Sequence, residues 1–344
     1  MNIAFVGCGR RGRYHMSAFA DIDGVNISGV YDPFKSARNS AADQFGSTAY
    51  SSVEQLIDSA EPDGIVVATP AHLNAEAALH VLSYGIPTLI EKPPGLSSDD
   101  ARRLLTVAQR KSTNVMVGLD RRFNPLVTES LARVRRNGPI VQIAGEFHKD
   151  IRDFTDDPRF AQDIFNYMML ESPIHALDLV CFVAGSNVSK VSGYVRQTNS
   201  KYRDVHAALI EFENGVVAQF SANYTTGGRL ERYEMHGNQI SAYLEGINRA
   251  WVMEEGDSHD ITPPTQMTST QIQDSYFIEC IRSGTTFSAP AATLEDGVKL
   301  LELAEAIYAE DQNSCLPLSE NRFDPKLPEK QHNRILITQA DLHP

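Results

Sequence analysis

The sequence predicts an α/β chain with an α+β second part. A doubly wound parallel sheet is expected over residues 1–120, and a domain on a large, mainly antiparallel open sheet flanked by helices over residues 121–344. Three observations predict this. Short β-branched runs alternate with helical stretches over the first third of the chain. A glycine-rich turn joins the first run to the first helix. Beyond residue 140, period-2 alternation and an Asn-Gly turn replace that pattern. At 344 residues the chain also exceeds one comfortable core, for which the prior is roughly 150 residues.

Ile3 to Val6 and Val25 to Tyr31 read as strands around a helix, one βαβ unit. Gly64 to Ala68, Pro87 to Ile90 and Val115 to Gly118 lack alternation, as strands covered on both faces do. From Ser97 to Lys111, Leu104, Leu105 and Ala108 fall at helical spacing behind the start signal Ser97-Ser98-Asp99-Asp100. In the second part, Val205 to Glu213 and Val216 to Tyr224 form a hairpin about Asn214-Gly215. Val216, Ala218, Phe220, Ala222 and Tyr224 share its apolar face. Helices are expected near Gln271 to Arg282 and Leu294 to Tyr308. The last helix and the polar tail from Gln312 are expected to pack back over the body of the protein.

Charge and composition narrow the partners. A formal net charge of −13 repels a phosphate backbone, so no nucleic acid is expected. No apolar run approaches the ~18 residues of a membrane span, so no membrane is expected. The chain turns strand-like just after Met1, which predicts no signal peptide. Cys8, Cys181, Cys280 and Cys315 match no metal spacing and are too few for a disulfide scaffold. A cytoplasmic protein without a metal is the expectation.

Gly7-Cys8-Gly9-Arg10-Arg11-Gly12 matches G-x-G-x-x-G between a strand and a helix, and Asp32 follows Gly12 by 20 residues. This is the Rossmann fingerprint. Gly7 allows the tight turn, Gly9 the approach of a pyrophosphate, and Gly12 close helix–strand packing, while Asp32 accepts from a ribose diol. Cys8, Arg10 and Arg11 join the glycines as cofactor-binding candidates. Asp32 would repel a 2′-phosphate and favours NAD, although Lys35 and Arg38 leave NADP open.

Two further stretches carry acid–base chemistry. Glu91-Lys92-Pro93-Pro94 follows a strand at the end where open parallel sheets bind ligands, and the prolines stiffen the corner, with a cis bond before Pro93 in prospect. In Glu171 to Gly185, Ser172 reads as N-cap, Pro173 as the first helical residue and Gly185 as the residue past the end. Within that apolar helix His175 and Asp178 share one face and need partners, either each other or nearby backbone, unless they serve a site.

Gly7 to Gly12, Thr69-Pro70, Glu91-Lys92-Pro93, Arg121-Arg122-Phe123 and the Glu171/His175/Asp178 segment, in this order before a β-rich half, resemble the glucose–fructose oxidoreductase / inositol dehydrogenase (Gfo/Idh/MocA) family. The likeness spans residues 1 to about 310. It implies Lys92 and His175 as an acid–base pair that also meets the substrate, with Glu171 and Asp178 as catalytic support. It further implies Thr69, Pro70, Asn74, Glu91, Lys92 and Pro93 at the dinucleotide, and Arg121 at the substrate. Glu171 stands where the family usually has Asp, Phe165-Asn166-Tyr167 replaces a glycine-rich lead-in, and Ala71 and Asn74 follow Thr69-Pro70 in place of Asn and His. These departures bear on the substrate more than on the reaction.

The reaction so implied is hydride transfer between NAD and a carbinol carbon of a sugar, sugar derivative or polyol. An NAD-retaining glycoside hydrolase and a non-catalytic NAD-binding sensor or assembly protein are the alternatives. Histidine starts near pKa 6.5 and lysine near 10.4, so His175 is the cheaper base, with Lys92 stabilising an alkoxide or relaying the proton. Arg203, Tyr224, Arg229 and Tyr233 are further candidates for the substrate. A homodimer or homotetramer through the second sheet is the expected assembly.

Overall fold

Strands β1 (Asn2–Val6), β2 (Asn26–Tyr31), β3 (Ala49–Tyr50), β4 (Gly64–Val67), β5 (Thr88–Glu91) and β6 (Val115–Gly118) pair in parallel in the order β3-β2-β1-β4-β5-β6. The structure is a computed structural model and describes residues 1–152 and 162–313. Every residue of β4, β5 and β6 is buried, which explains their unbroken apolar sequences.

Alternate side chains of these strands feed two cores. Ala4, Val6, Ile65, Val67, Ile90 and Val117 pack with α3 (Val53–Ala60), α4 (Ala71–Leu82) and α5 (Ser98–Lys111). Ile3, Phe5, Val66, Leu89 and Met116 pack with α1 (Arg10–Ala20) and α2 (Lys35–Phe45). The same second core takes Phe277 and Ile278 from a helix far along the chain, Ser269–Ser283. Ser97 and Asp100 close a capping box on α5, as the start signal predicts.

The second sheet runs β14-β13-β12-β11-β7-β10-β9-β8. Its strands are β7 (Gln142–Asp150), β8 (Val188–Arg196), β9 (Val205–Phe212), β10 (Val217–Asn223), β11 (Thr225–His236), β12 (Ile240–Glu245), β13 (Arg249–Glu254) and β14 (Asp257–Asp260). All neighbours are antiparallel except β7 and β10. The Asn214-Gly215 hairpin joins β9 to β10, and Ala218, Phe220 and Ala222 are buried on one face. Helix α6 (Pro125–Arg136) packs on β12, α7 (Ile174–Ala184) on β7, α8 (Ser269–Ser283) on α1, and α9 (Leu294–Asn313) on β8 and α5. Glu305 of α9 accepts from both the N–H and the hydroxyl of Ser98, each at 2.6 Å.

One boundary differs from expectation. Helix α7 begins at Ile174 with Pro173 in the cap position, and the Ser172 hydroxyl accepts from the Lys149 ammonium at 2.6 Å instead of capping the helix. A nearly buried ammonium needs acceptors more than this helix start does, because the His175 and Ala176 N–H groups already donate to the Ser172 and Pro173 carbonyls at 3.1 and 2.9 Å. Gly185 ends the helix in the left-handed region, φ 63°. The Lys92–Pro93 bond is cis. Cys8, Cys181 and Cys280 are free thiols. Cys315 and the tail from Ser314 onward lie outside the described residues. Among those described, no helix is long and apolar enough to cross a membrane, and no cluster of His, Cys, Asp or Glu could hold a metal.

Candidate active site

The glycine turn is shaped for a bulky anion. Gly7 has φ 103°, and a Cβ there would stand 2.3 Å from the Ala68 carbonyl oxygen, while one on Gly12 would stand 2.1 Å from that of Gly7. Over Gly9, by contrast, no described atom beyond Gly9 and its two chain neighbours lies within 4 Å of a Cβ position. No described side chain caps α1 at Gly9, so its first N–H groups face that open space. These residues therefore fit a dinucleotide pyrophosphate. Asp32 is bolted to the turn, accepting from the Cys8 N–H and the Phe34 N–H, each at 2.9 Å. The Cys8 thiol is pushed up to about 12 by burial and by Asp32. Arg10 and Lys35 are exposed, whereas Arg38 donates to the Asp32 and Pro33 carbonyls.

The corner after β5 is braced from beneath. Asn74, fully buried, donates to the carbonyls of Glu91 and Pro93 and accepts from the Thr69 hydroxyl at 3.0 Å. Pro70 is exposed at the start of α4. Both Glu91 carboxylate oxygens are engaged. One takes Arg11 Nε at 2.8 Å and His15 Nε2 at 2.9 Å, and the other the Lys92 N–H at 3.2 Å. Glu91 and Asn74 thus sit as internal braces of the corner. Lys92 itself reaches α7's approach, where its ammonium donates to the Glu171 carbonyl oxygen. Burial lowers the Lys92 pKa against the pull of Glu171 and Glu91.

His175 is buried at the start of α7, its Nδ1 3.7 Å from Asp120 Oδ1 and without a hydrogen-bond partner among the described residues. Burial and the positive charges of Arg121 and Lys92 hold its pKa well below the ordinary value, so the ring is neutral. Burial alone would raise the Asp120 carboxyl, but the Arg121 and Arg11 guanidiniums beside it hold it well below the usual range. Arg121 donates to Asp120 at 2.9 Å and to Glu231 at 2.7 and 3.2 Å.

His175 and Asp178 do not pair with each other, which was one of the alternatives the sequence left open. The Asp178 carboxylate accepts from Arg122 at 2.6 to 3.1 Å, and Arg122 reaches on to Asp296 at 3.0 Å. Three residues along a helix share a face loosely enough for neighbours to turn them apart. Asp120 is the carboxylate that faces the imidazole.

Glu171 presents its side chain elsewhere than its carbonyl. Its carboxylate accepts from Lys149 Nζ at 3.0 and 3.3 Å and from the Tyr224 hydroxyl at 3.1 Å. Glu231 takes Arg229 at 2.7 Å and the Tyr233 hydroxyl at 2.8 Å. Tyr224, Arg229 and Tyr233 thus join this polar cluster, whereas Arg203 lies over the Tyr308 ring, 5.8 Å from its centre.

Sequence reasoning missed His15, Asp120, Lys149, Glu231 and Asp274. A signal existed for two of them: Lys149 shares the inward face of β7 with Ile143 and Phe147, and Glu231 that of β11 with Tyr233 and Met235. A charged residue at an inward strand position is a marker of a site.

Residues 1–119 match the model of an oxidoreductase family with an NAD-binding Rossmann fold, and residues 130–243 that of the GFO/IDH/MocA C-terminal domain. The chain is 26% identical over 327 residues to scyllo-inositol 2-dehydrogenase (NAD(+)) of Bacillus subtilis, covering 88% of this chain and 92% of that one. It is 25% identical over 328 residues to D-apiose dehydrogenase of Paraburkholderia graminis, covering 89% and 86% respectively. Aldose-aldose oxidoreductase from Caulobacter crescentus shares the fold, with a TM-score of 0.81, 20% identity, and coverage of 91% of this chain and 98% of that one. With both models matched over most of its length, and with a glycine turn built for NAD, the chain belongs to the Gfo/Idh/MocA family of oxidoreductases.

Proposed function

We propose that this protein is an NAD-dependent dehydrogenase of a sugar, sugar derivative or polyol, with His175 as general base and Lys92 as the group that orients and stabilises the reacting oxygen. The observation that carries the reading is the buried, neutral His175 facing Asp120 while Lys92 is fixed to the adjacent Glu171 carbonyl. Bound NAD supplies the hydride acceptor. Asp120 favours the tautomer with hydrogen on Nδ1, which leaves the Nε2 lone pair to take the hydroxyl proton. Its charge then stabilises the imidazolium. Lys92 spends one ammonium hydrogen on Glu171 and keeps others for the alkoxide oxygen.

In this reading residues 1–120 hold the cofactor, and those beyond supply the substrate side and the assembly surface. Gly7 to Gly12 and Asp32 hold the dinucleotide, with Asp32 favouring NAD over NADP. Arg121 and Glu171 act through partners, Arg121 by bridging Asp120 to Glu231 and Glu171 by anchoring both lysines. The names of the relatives support a dehydrogenase over a hydrolase or a sensor.

The test is a panel of sugars and polyols that includes scyllo-inositol and D-apiose, read at the reduced-nicotinamide band, with Lys92→Met and His175→Ala beside the wild type. Turnover by the wild type and its loss in both variants is expected. Undiminished turnover in both variants removes the assignment, and no reduction of NAD across the panel favours the sensor. Release of an aglycone without net NAD turnover favours the hydrolase.

Self-association through the open face of the second sheet belongs to the same reading. Leu209, Gln219, Ala144, Glu234, Tyr243 and Trp251 form one register row across six strands, and Tyr194 and Leu209 stand 54% and 45% exposed. Light scattering should give a dimer or tetramer that Leu209→Lys weakens; a monomeric wild type would contradict it.

A further inference from the structure

His15 lies on α1, outside the chemistry described so far, and is fully buried. Its Nδ1 stands 2.8 and 3.0 Å from the two Asp274 oxygens of α8, and its Nε2 stands 2.9 Å from Glu91 Oε1. Both ring nitrogens therefore face carboxylate oxygens. A neutral imidazole carries one N–H and can satisfy one of them, whereas the doubly protonated ring satisfies both.

We propose that His15 is a positioning residue: as an imidazolium clamped between Asp274 and Glu91, it locks α1 and α8 to the corner that presents Lys92. The inference rests on the proposed role of Lys92. The chain of contacts is short. Glu91 is the residue before Lys92, and its other carboxylate oxygen accepts the Lys92 N–H. Gly118 on β6 makes room for this carboxylate, since a Cβ there would stand 2.8 Å from Glu91 Oε1. Losing the His15 proton leaves one of two buried carboxylates facing a lone pair, so the tie from α8 through the ring to the Glu91 corner breaks at one end and the corner loosens.

The charged groups around His15 are Arg11 from its own helix, Glu91 from β5 with Lys92 beside it, and Asp274 from α8. Arg11 also ties Glu91 to Asp120, at 2.8 and 3.1 Å, so the clamp reaches the carboxylate facing His175. Burial alone would lower the imidazole, but Asp274 and Glu91 raise it to about 9.

Two measurements test the clamp. The first is the imidazole nitrogen spectrum of His15 in the full-length wild-type protein with NAD added. Two protonated nitrogens at neutral pH are expected, and a neutral ring overturns the proposal whether or not a substrate is known. The second is the kcat–pH profile on whichever panel sugar turns over, scyllo-inositol first. Removing the partner charge in Asp274→Asn should move the alkaline limb down by roughly one unit or more. His15→Gln should lower kcat by about tenfold to a hundredfold and leave only the alkaline limb set by Lys92 itself, with the Kd of NAD changed by less than about twofold. A limb unmoved in a folded Asp274→Asn protein, or wild-type kcat in His15→Gln, overturns it. If Asp274→Asn does not fold, the nitrogen spectrum decides. Full activity in Lys92→Met would sink the Lys92 reading instead, whereas an inactive Lys92→Met beside an unmoved limb sinks only the clamp.

Discussion

Alanine at Gly9 separates folding from cofactor binding. Gly9 has φ −73° and ψ −171°, extended backbone that alanine adopts without strain. No described atom beyond Gly9 and its two chain neighbours lies within 4 Å of the new methyl. Without NAD, Gly9→Ala should therefore be as stable as the wild type or gain about 0.4–1 kcal/mol from a less flexible unfolded chain. The methyl nevertheless fills the space in front of the uncapped α1, where the pyrophosphate would have to lie. Overpacking of this kind costs roughly 1–3 kcal/mol, which weakens NAD about 5- to 150-fold. Calorimetric titration with NAD and thermal melts without it measure the two halves. Gly12→Ala is the contrast, because its Cβ would stand 2.1 Å from the Gly7 carbonyl oxygen and should lower the melting temperature of the cofactor-free protein. If Gly9→Ala binds NAD like the wild type, the open space over Gly9 is not the pyrophosphate site and the reasoning fails.

Three further outcomes follow from the buried charges. Because burial, Arg121 and Lys92 hold His175 well below 6.5, the acid limb of kcat for oxidation should lie below that value and move upward in Arg121→Gln; an acid limb above 6.5 in the wild type contradicts it. Asp178→Ala strands the Arg122 guanidinium with the part-exposed Asp296, and urea unfolding should show a loss of about 3–5 kcal/mol; a loss under about 1 would mean the pair is not buried as described. His15 titrates at about 9 in the fold against 6.5 unfolded, so its contribution is whole below 6.5 and fades as pH rises through 9. The wild-type urea midpoint should fall over that window more than that of His15→Gln, and parallel profiles would refute the assignment.

Most of the first sheet was legible because β1, β4, β5 and β6 are short apolar runs and the start of α5 carries local chemistry in Ser97 with Asp100, whereas the two-residue β3 gave no such run. The hairpin at Asn214-Gly215 was legible for the same reason. What stayed hidden depends on residues distant in sequence. Phe277 and Ile278 cover the first sheet from the far side of the second, and no local pattern announces that docking. The site divides likewise. Gly7 to Gly12, Lys92 and His175 belong to motifs, and Lys92 and His175 do come to one charged neighbourhood. The partner of Asp178 stayed hidden because helical spacing relates two residues of one helix but not the guanidinium of Arg122, which claims its carboxylate. Asp120 meets His175 and Arg11 only through the fold, and no local spacing announces that contact. Lys149 and Glu231 required reading inward strand positions for charge rather than for hydrophobic content.

In the proposed function Lys92 and His175 act together on one substrate oxygen beside the cofactor. A crystal structure with NADH and a turned-over sugar tests it most directly. One hydroxyl oxygen is expected within about 3.2 Å of both Lys92 Nζ and His175 Nε2, with its carbon about 3.5 Å from the nicotinamide. A sugar bound productively with either side chain out of reach of that oxygen would contradict it.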